Sequence, residues 1–210
     1  MKPRPILLLF LFALMALLAW RNEQITFLNG GQLAVRQDGA SVVLTWRSGV
    51  DAPMAKRFSE AYSAWAGDTG HFIIDLNSPG GALSEGRAVI EVIDRMKRTH
   101  RVDTRVGPGR KCLSMCVPIF LQGETRTAAA NARFMFHEPT SRDAITGEVV
   151  DTLVFEQRMI SERFFNRYFV NSPKDPAWAA DLRRKWRGRD VWKSGRDLVR
   201  EGSNIITDLE

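Results

Sequence analysis

The chain has 210 residues, 44% of them hydrophobic, with 30 Lys and Arg against 24 Asp and Glu and a formal net charge of +6. That is enough apolar material for one full core but too little for two domains plus a membrane segment, so one α/β domain over residues 21–210 is expected. Setting aside Lys2 and Arg4 leaves +4, an excess that does not call for nucleic acid as a partner.

Lys2 and Arg4 precede residues 6–20, fifteen positions without a charge, rich in Leu, Ala and Phe. A basic flank followed by an apolar run is the pattern of a secretory signal or N-terminal anchor. As a helix the run would span about 22 Å, short of the roughly 30 Å of a bilayer's hydrocarbon core. A signal peptide over residues 1–20 is the better fit to that length. The site before Arg21 is untidy, however: a cut after Ala19 and an uncleaved anchor both match the pattern. Either one places the domain outside the cytoplasm, in the periplasm of a bacterial envelope or anchored to the inner membrane and facing it.

Short strands are expected at 25–28 and 33–35 around the turn Asn29-Gly30-Gly31, and a stronger one at 42–46. Pro53 opens a helix whose Met54, Phe58, Tyr62 and Trp65 recur at helical spacing and so face a core. A buried strand at 72–76 runs into Asn77-Ser78-Pro79-Gly80-Gly81. The helix after it turns Val89, Ile90, Ile93 and Met96 inward and Glu85, Glu91, Arg95 and Lys97 outward. Strand, glycine turn and helix make half of a βαβ unit. A strand at 102–106 follows, then Lys111-Cys112-Leu113-Ser114-Met115-Cys116 and a helix from Ser114 to about residue 123. Pro118 fits that helix only within its first turn, which puts Ser114 at the N-terminus. Strands at 127–130 and 133–136 deliver His137. Residues 138–147 are polar and read as a loop. A helix over 149–170 carries Phe164, Phe165, Tyr168 and Phe169 for the core or an oligomer interface, and ends at Pro173. The helix at 177–186 bears the basic run Arg183, Arg184, Lys185, Arg187 and Arg189, read as a solvated face rather than an anionic-lipid contact. Residues 191–192, a short helix at 196–200 and a strand near 204–206 close the chain.

A serine hydroxyl at a helix start is most often a plain cap. It becomes a nucleophile only where an imidazole takes its proton and free amides face the developing oxyanion. Two other stretches answer to Ser114: Asn77-Ser78-Pro79-Gly80-Gly81 upstream and Asn131-Ala132-Arg133-Phe134-Met135-Phe136-His137-Glu138-Pro139 downstream. Cys112 and Cys116 flank Ser114; two small buried thiols are expected there, with a disulfide as the alternative in an oxidising compartment. No His or Cys nearby completes a metal site.

Asn77 to Gly81, Ser114-Met115, Asn131-Ala132-Arg133 through His137-Glu138-Pro139, and Arg189-Asp190-Val191-Trp192-Lys193-Ser194 together resemble the ordered signatures of the Clp protease proteolytic subunit, in the ClpP/crotonase superfamily. The resemblance runs from about residue 72 to the C-terminus and implies a ClpP/crotonase-like βαβ spiral. It implies Ser114 as nucleophile, His137 as general base, Asp190 as the carboxylate that orients the imidazole, and Gly80, Gly81 and Met115 as the oxyanion hole. Asp143 and Asp151 remain alternatives for the third role. His71 and His100 read as surface or capping residues, and Ser78 as a structural hydroxyl of the glycine turn. Cys112, Leu113, Cys116 and Pro118 depart from the small residues usual around the family's serine.

The function implied is an ATP-independent serine endopeptidase acting on peptides or unfolded segments, without cofactor or metal, and able to form homo-oligomers. A catalytically inactive envelope binding or scaffold protein is the alternative. An acyl-thioester enzyme would need a coenzyme A thioester outside the cytoplasm, and a serine–lysine dyad through Lys111 leaves His137 unexplained.

Overall fold

The apolar runs assemble into sheets in the computed structural model, which describes residues 26–28, 32–140, 153–170 and 174–210. The apolar segment 6–20, the turn at 29–31, Asp143, Asp151 and Pro173 lie outside the described residues. In chain order the strands are β1 (Thr26–Leu28), β2 (Leu33–Asp38), β3 (Ser41–Trp46), β4 (His71–Leu76), β5 (Arg101–Val106), β6 (Lys111–Leu113), β7 (Arg126–Ala128), β8 (Arg133–Phe136), β9 (Val191–Ser194) and β10 (Asp208–Leu209). Seven of them form one sheet in the order β1-β2-β3-β4-β5-β7-β10, and the other three a small sheet in the order β6-β8-β9. The β1–β2 and β2–β3 pairs are antiparallel, while β3, β4, β5, β7 and β10 run parallel.

Parallel strands need crossovers, and helices supply them. α1 (Met54–Trp65) joins β3 to β4, and α2 (Leu83–Met96) joins β4 to β5. Met54, Phe58 and Ala61 bury one face of α1, with Tyr62 and Trp65 partly buried beside them. In α2 the inward set is Gly86, Val89, Val92, Ile93 and Met96, with Ile90 at its edge. Glu85 departs from its expected outward role. Its carboxylate accepts the Ala55 amide at 2.7 Å, supplying the cap that Pro53 cannot give to the first turn of α1.

The remaining helices are α3 (Cys116–Phe120), α4 (Val154–Phe165) with a π-helical turn over Asn166–Val170, α5 (Pro176–Lys185) and α6 (Gly195–Arg200). Asp175 caps α5 by accepting the Trp178 amide at 2.7 Å, and Pro176 sits where a missing amide costs nothing. Ser194 and Asp197 form a capping box on α6. Phe164, Phe165, Tyr168 and Phe169 are buried against one another and against Trp186, Trp178 and Phe136, so they pack within the chain rather than serving an oligomer interface. Burial of each such ring contributes about 1.5–3 kcal/mol. The basic run is mostly paired: Asp181 takes Arg184 and Lys185, and Glu162 takes Arg183.

The closing strand falls at Asp208–Leu209 instead of 204–206. The carbonyls of Asn204 and Ile205 are already claimed by the buried Arg126 guanidinium, at 3.0 and 2.8 Å, so they are not free for a ladder. Burial lowers the pKa of Arg126 from its ordinary value. No helix among the described residues is long and apolar enough to cross a membrane.

Candidate active site

The site forms where the glycine turn after β4, the end of β6 and the end of β8 meet. β6 lies parallel to β8 with Leu113 opposite Met135, and the Ser114 amide continues the ladder to the Met135 carbonyl at 2.9 Å. On the other side of β6, the Ser78 amide donates to Lys111 and the Leu113 amide to Ser78, at 2.8 and 3.1 Å. The Asn77 side-chain carbonyl accepts the Lys111 amide at 3.2 Å. Three segments remote in sequence are thus fixed side by side at the carboxyl end of β4, where open α/β sheets carry their sites.

Ser114 stands between β6 and α3 rather than inside the helix. Its φ is +53°, a left-handed conformation that a serine adopts only when its surroundings impose it. The Val117 amide donates to the Ser114 carbonyl at 2.9 Å, so α3 begins directly afterwards and Pro118 falls in its first turn. The turn projects the hydroxyl toward β8. His137 Nε2 lies 2.7 Å from Ser114 Oγ, and both residues are half-buried.

Gly80 has φ +87°, and a Cβ there would come within 2.5 Å of the Leu113 carbonyl oxygen and 2.7 Å of Ser114 Cβ. Only glycine allows the turn to press this closely on the serine. The Gly80 amide itself donates to Ser78 Oγ at 3.2 Å, which removes it from the expected set of oxyanion donors and gives Ser78 its structural role. Among the described residues the Gly81 and Met115 amides have no backbone acceptor. Met115 is fully buried, its side chain lying against Gly86 of α2, where a Cβ would collide with it. Sequence reading missed Gly86; a small residue on the inward face of α2 was its one signal.

Cys112 and Cys116 are joined as a disulfide, not held as the two thiols expected. Their Cα atoms lie 5.2 Å apart across the Ser114 turn, within the range a disulfide requires.

β8 and β9 are antiparallel with Phe136 opposite Val191, and one step further along that register places Asp190 across from His137. The Asp190 carboxylate is exposed, and among the described residues it makes no hydrogen bond to the imidazole. The neighbouring acid, Glu138, accepts the Gly188 amide at 3.1 Å and so ties this loop to the end of α5. The structure therefore brings Ser114, His137, Gly80, Gly81 and Met115 together and sets Asp190 beside them with its carboxylate in solvent.

His100 caps the end of α1, its Nε2 lying 3.0 Å from the Ala66 carbonyl. His71 is less ordinary than its sequence context implies. Its Nδ1 lies 2.8 Å from Ser41 Oγ and its Nε2 2.8 Å from Asp103 Oδ2, a second serine–histidine–aspartate set at the amino ends of β3, β4 and β5. Burial raises the pKa of Asp103, but the Thr125 amide, Arg101 and His71 together outweigh it and hold the carboxyl below its ordinary value.

A serine–histidine contact beside unclaimed amides, at the carboxyl end of a parallel sheet, is the arrangement of an α/β serine hydrolase. The sequence profile of the Clp protease family matches residues 62–174, more than half of the chain. The chain belongs to the Clp protease family, and its class of activity is that of a serine peptidase. Its fold is similar to that of a ClpP1 point mutant from Listeria monocytogenes, with a TM-score of 0.60 over 80% of this chain and 90% of that one, at 17% identity. No curated protein matches the chain. The profile match stops short of Asp190, so that residue rests on the register alone.

Proposed function

We propose that the chain is an ATP-independent serine endopeptidase of the bacterial envelope, cleaving peptides or unfolded protein segments. The 2.7 Å contact between Ser114 Oγ and His137 Nε2 carries this reading. With Nε2 unprotonated, His137 takes the hydroxyl proton as Ser114 attacks the scissile carbonyl, then returns it to the leaving amine. The Met115 and Gly81 amides receive the oxyanion, each such donor being worth on the order of 10²- to 10³-fold in rate. Asp190 serves as the orienting carboxylate. Asp190 directly precedes β9 as His137 directly follows β8, next to the registered pair Phe136–Val191, which supports that role.

Two features support the location. Residues 1–20 carry the signal or anchor pattern, and the Cys112–Cys116 disulfide is of a kind that persists in oxidising compartments. The exposed Leu153, Val154, Phe155 and Met159 at the start of α4 support self-association. One observation favours the alternative of an inactive binding or scaffold protein, namely that the Asp190 carboxylate stands off the imidazole. Incubating the purified protein with a reduced, carboxymethylated protein substrate, without ATP, separates the two. Ser114-dependent fragments are expected; a wild type that generates none more than Ser114→Ala does supports the scaffold reading.

A further inference from the structure

We propose that Cys112 and Cys116 are positioning residues, their disulfide holding the Ser114 turn in its working geometry so that full reactivity belongs to the oxidised chain. This rests on the reading of Ser114 as nucleophile. The bond joins the middle residue of β6 to the first residue of α3 and encloses only Leu113, Ser114 and Met115. Within that span lie both the hydroxyl and one of the two amides assigned to the oxyanion. Ser114 is held at φ +53°, a conformation that relaxes unless its neighbours over-determine it. Backbone hydrogen bonds from Leu113 to Ser78, Ser114 to Met135 and Val117 to Ser114 act on the turn from outside. The disulfide is the one covalent restraint across it.

The loop closed is among the shortest a disulfide can close, and chain-entropy stabilisation grows with loop length. A bridge of this kind therefore acts on local geometry more than on global stability. Both cysteines are fully buried, so a dithiol reaches the bond only when the turn opens locally. Reduction by a dithiol breaks the S–S bond: two electrons and two protons pass to Cys112 and Cys116, and the reagent leaves as its own cyclic disulfide. The freed turn can then move Ser114 Oγ away from His137, and misplacement of about 1 Å costs on the order of 10²-fold in rate.

The experiment measures the second-order rate of fluorophosphonate labelling in oxidised protein, in protein reduced by dithiothreitol with both thiols titrated, in the same sample re-oxidised, and in Cys112→Ala/Cys116→Ala. Circular dichroism is recorded on each. The expected result is a rate about ten- to a hundredfold lower in the reduced and double-alanine proteins, with the native spectrum kept and the rate restored on re-oxidation. An unchanged rate in fully reduced, folded protein overturns the proposal. Loss of the native spectrum on reduction also overturns it, in favour of a general structural role. Oxidised protein that never labels contradicts the peptidase reading instead, which distinguishes the two failures.

Discussion

One serine–histidine contact lies at the amino ends of β3 and β4, the other at the ends of β6 and β8 in the small sheet, beside the glycine turn that follows β4. The one at the amino ends, Ser41–His71–Asp103, has its carboxylate fully engaged. Thr125, Arg101 and His71 all donate to Asp103, which makes it a clamp between β3, β4 and β5. Ser41 lies on a regular strand and the His71 amide is already paired with Thr69 Oγ1. The Ser114–His137 pair lacks the bound carboxylate yet has what the clamp lacks: a serine lifted to positive φ, a glycine turn pressed against it, and amides left for an oxyanion. A hydrogen-bonded serine, histidine and aspartate can therefore be a structural device, and the backbone around the serine is what separates a site from a clamp.

That contrast is broken most directly at the two serines. Ser114→Ala and His137→Ala are each expected to reduce peptide hydrolysis on the order of 10⁶-fold, whereas Ser41→Ala leaves the rate unchanged. Equal losses from Ser41→Ala and Ser114→Ala would erase the distinction. Gly80→Ala tests the backbone half of the argument. With φ +87° and Leu113 and Ser114 in the way, hydrolysis should fall about 10²-fold. A smaller effect is expected of Asp190→Asn. A carboxylate that rests in solvent is screened, so a loss of about tenfold is predicted, well short of the roughly 10⁴-fold seen for a buried orienting aspartate.

The smallest effect on rate belongs to Asp103→Asn, which should leave hydrolysis intact while costing about 1–3 kcal/mol of stability in urea unfolding at neutral pH. The folded-state pKa of Asp103 is depressed, so its contribution is present above its unfolded value of about 4 and is lost as pH falls through that value toward the folded one. The asparagine variant should accordingly show a shallower loss of stability with acid over that window.

Much of this was legible in the sequence because it is local. The strands at 42–46, 72–76, 102–106 and 133–136, the helix after Pro53 and the glycine turn follow from periodicity and breakers, and Pro118 places the helix start near Ser114, two residues ahead of where it falls at Cys116. What escaped is what distant segments impose. Glu85 looks like a solvated helix residue until Ala55 is brought to it, and the carbonyls at 204–205 look free for a strand until Arg126 claims them. The aromatics of 164–169 carry no sign of whether Trp186 or a second copy will cover them. Ser41, His71 and Asp103 are separated by about thirty residues each, and only the parallel register makes them neighbours. The Cys112–Cys116 spacing fitted thiols and disulfide alike, because a strand-to-helix turn, not a helix, sets the distance between them.

The most direct test of the central claim is to react the oxidised protein with a fluorophosphonate and locate the adduct by peptide mass spectrometry. A single adduct on Ser114, absent from His137→Ala and retained in His71→Ala, is the predicted result. An adduct on Ser41, or labelling of Ser114 that is indifferent to His137, would contradict the account.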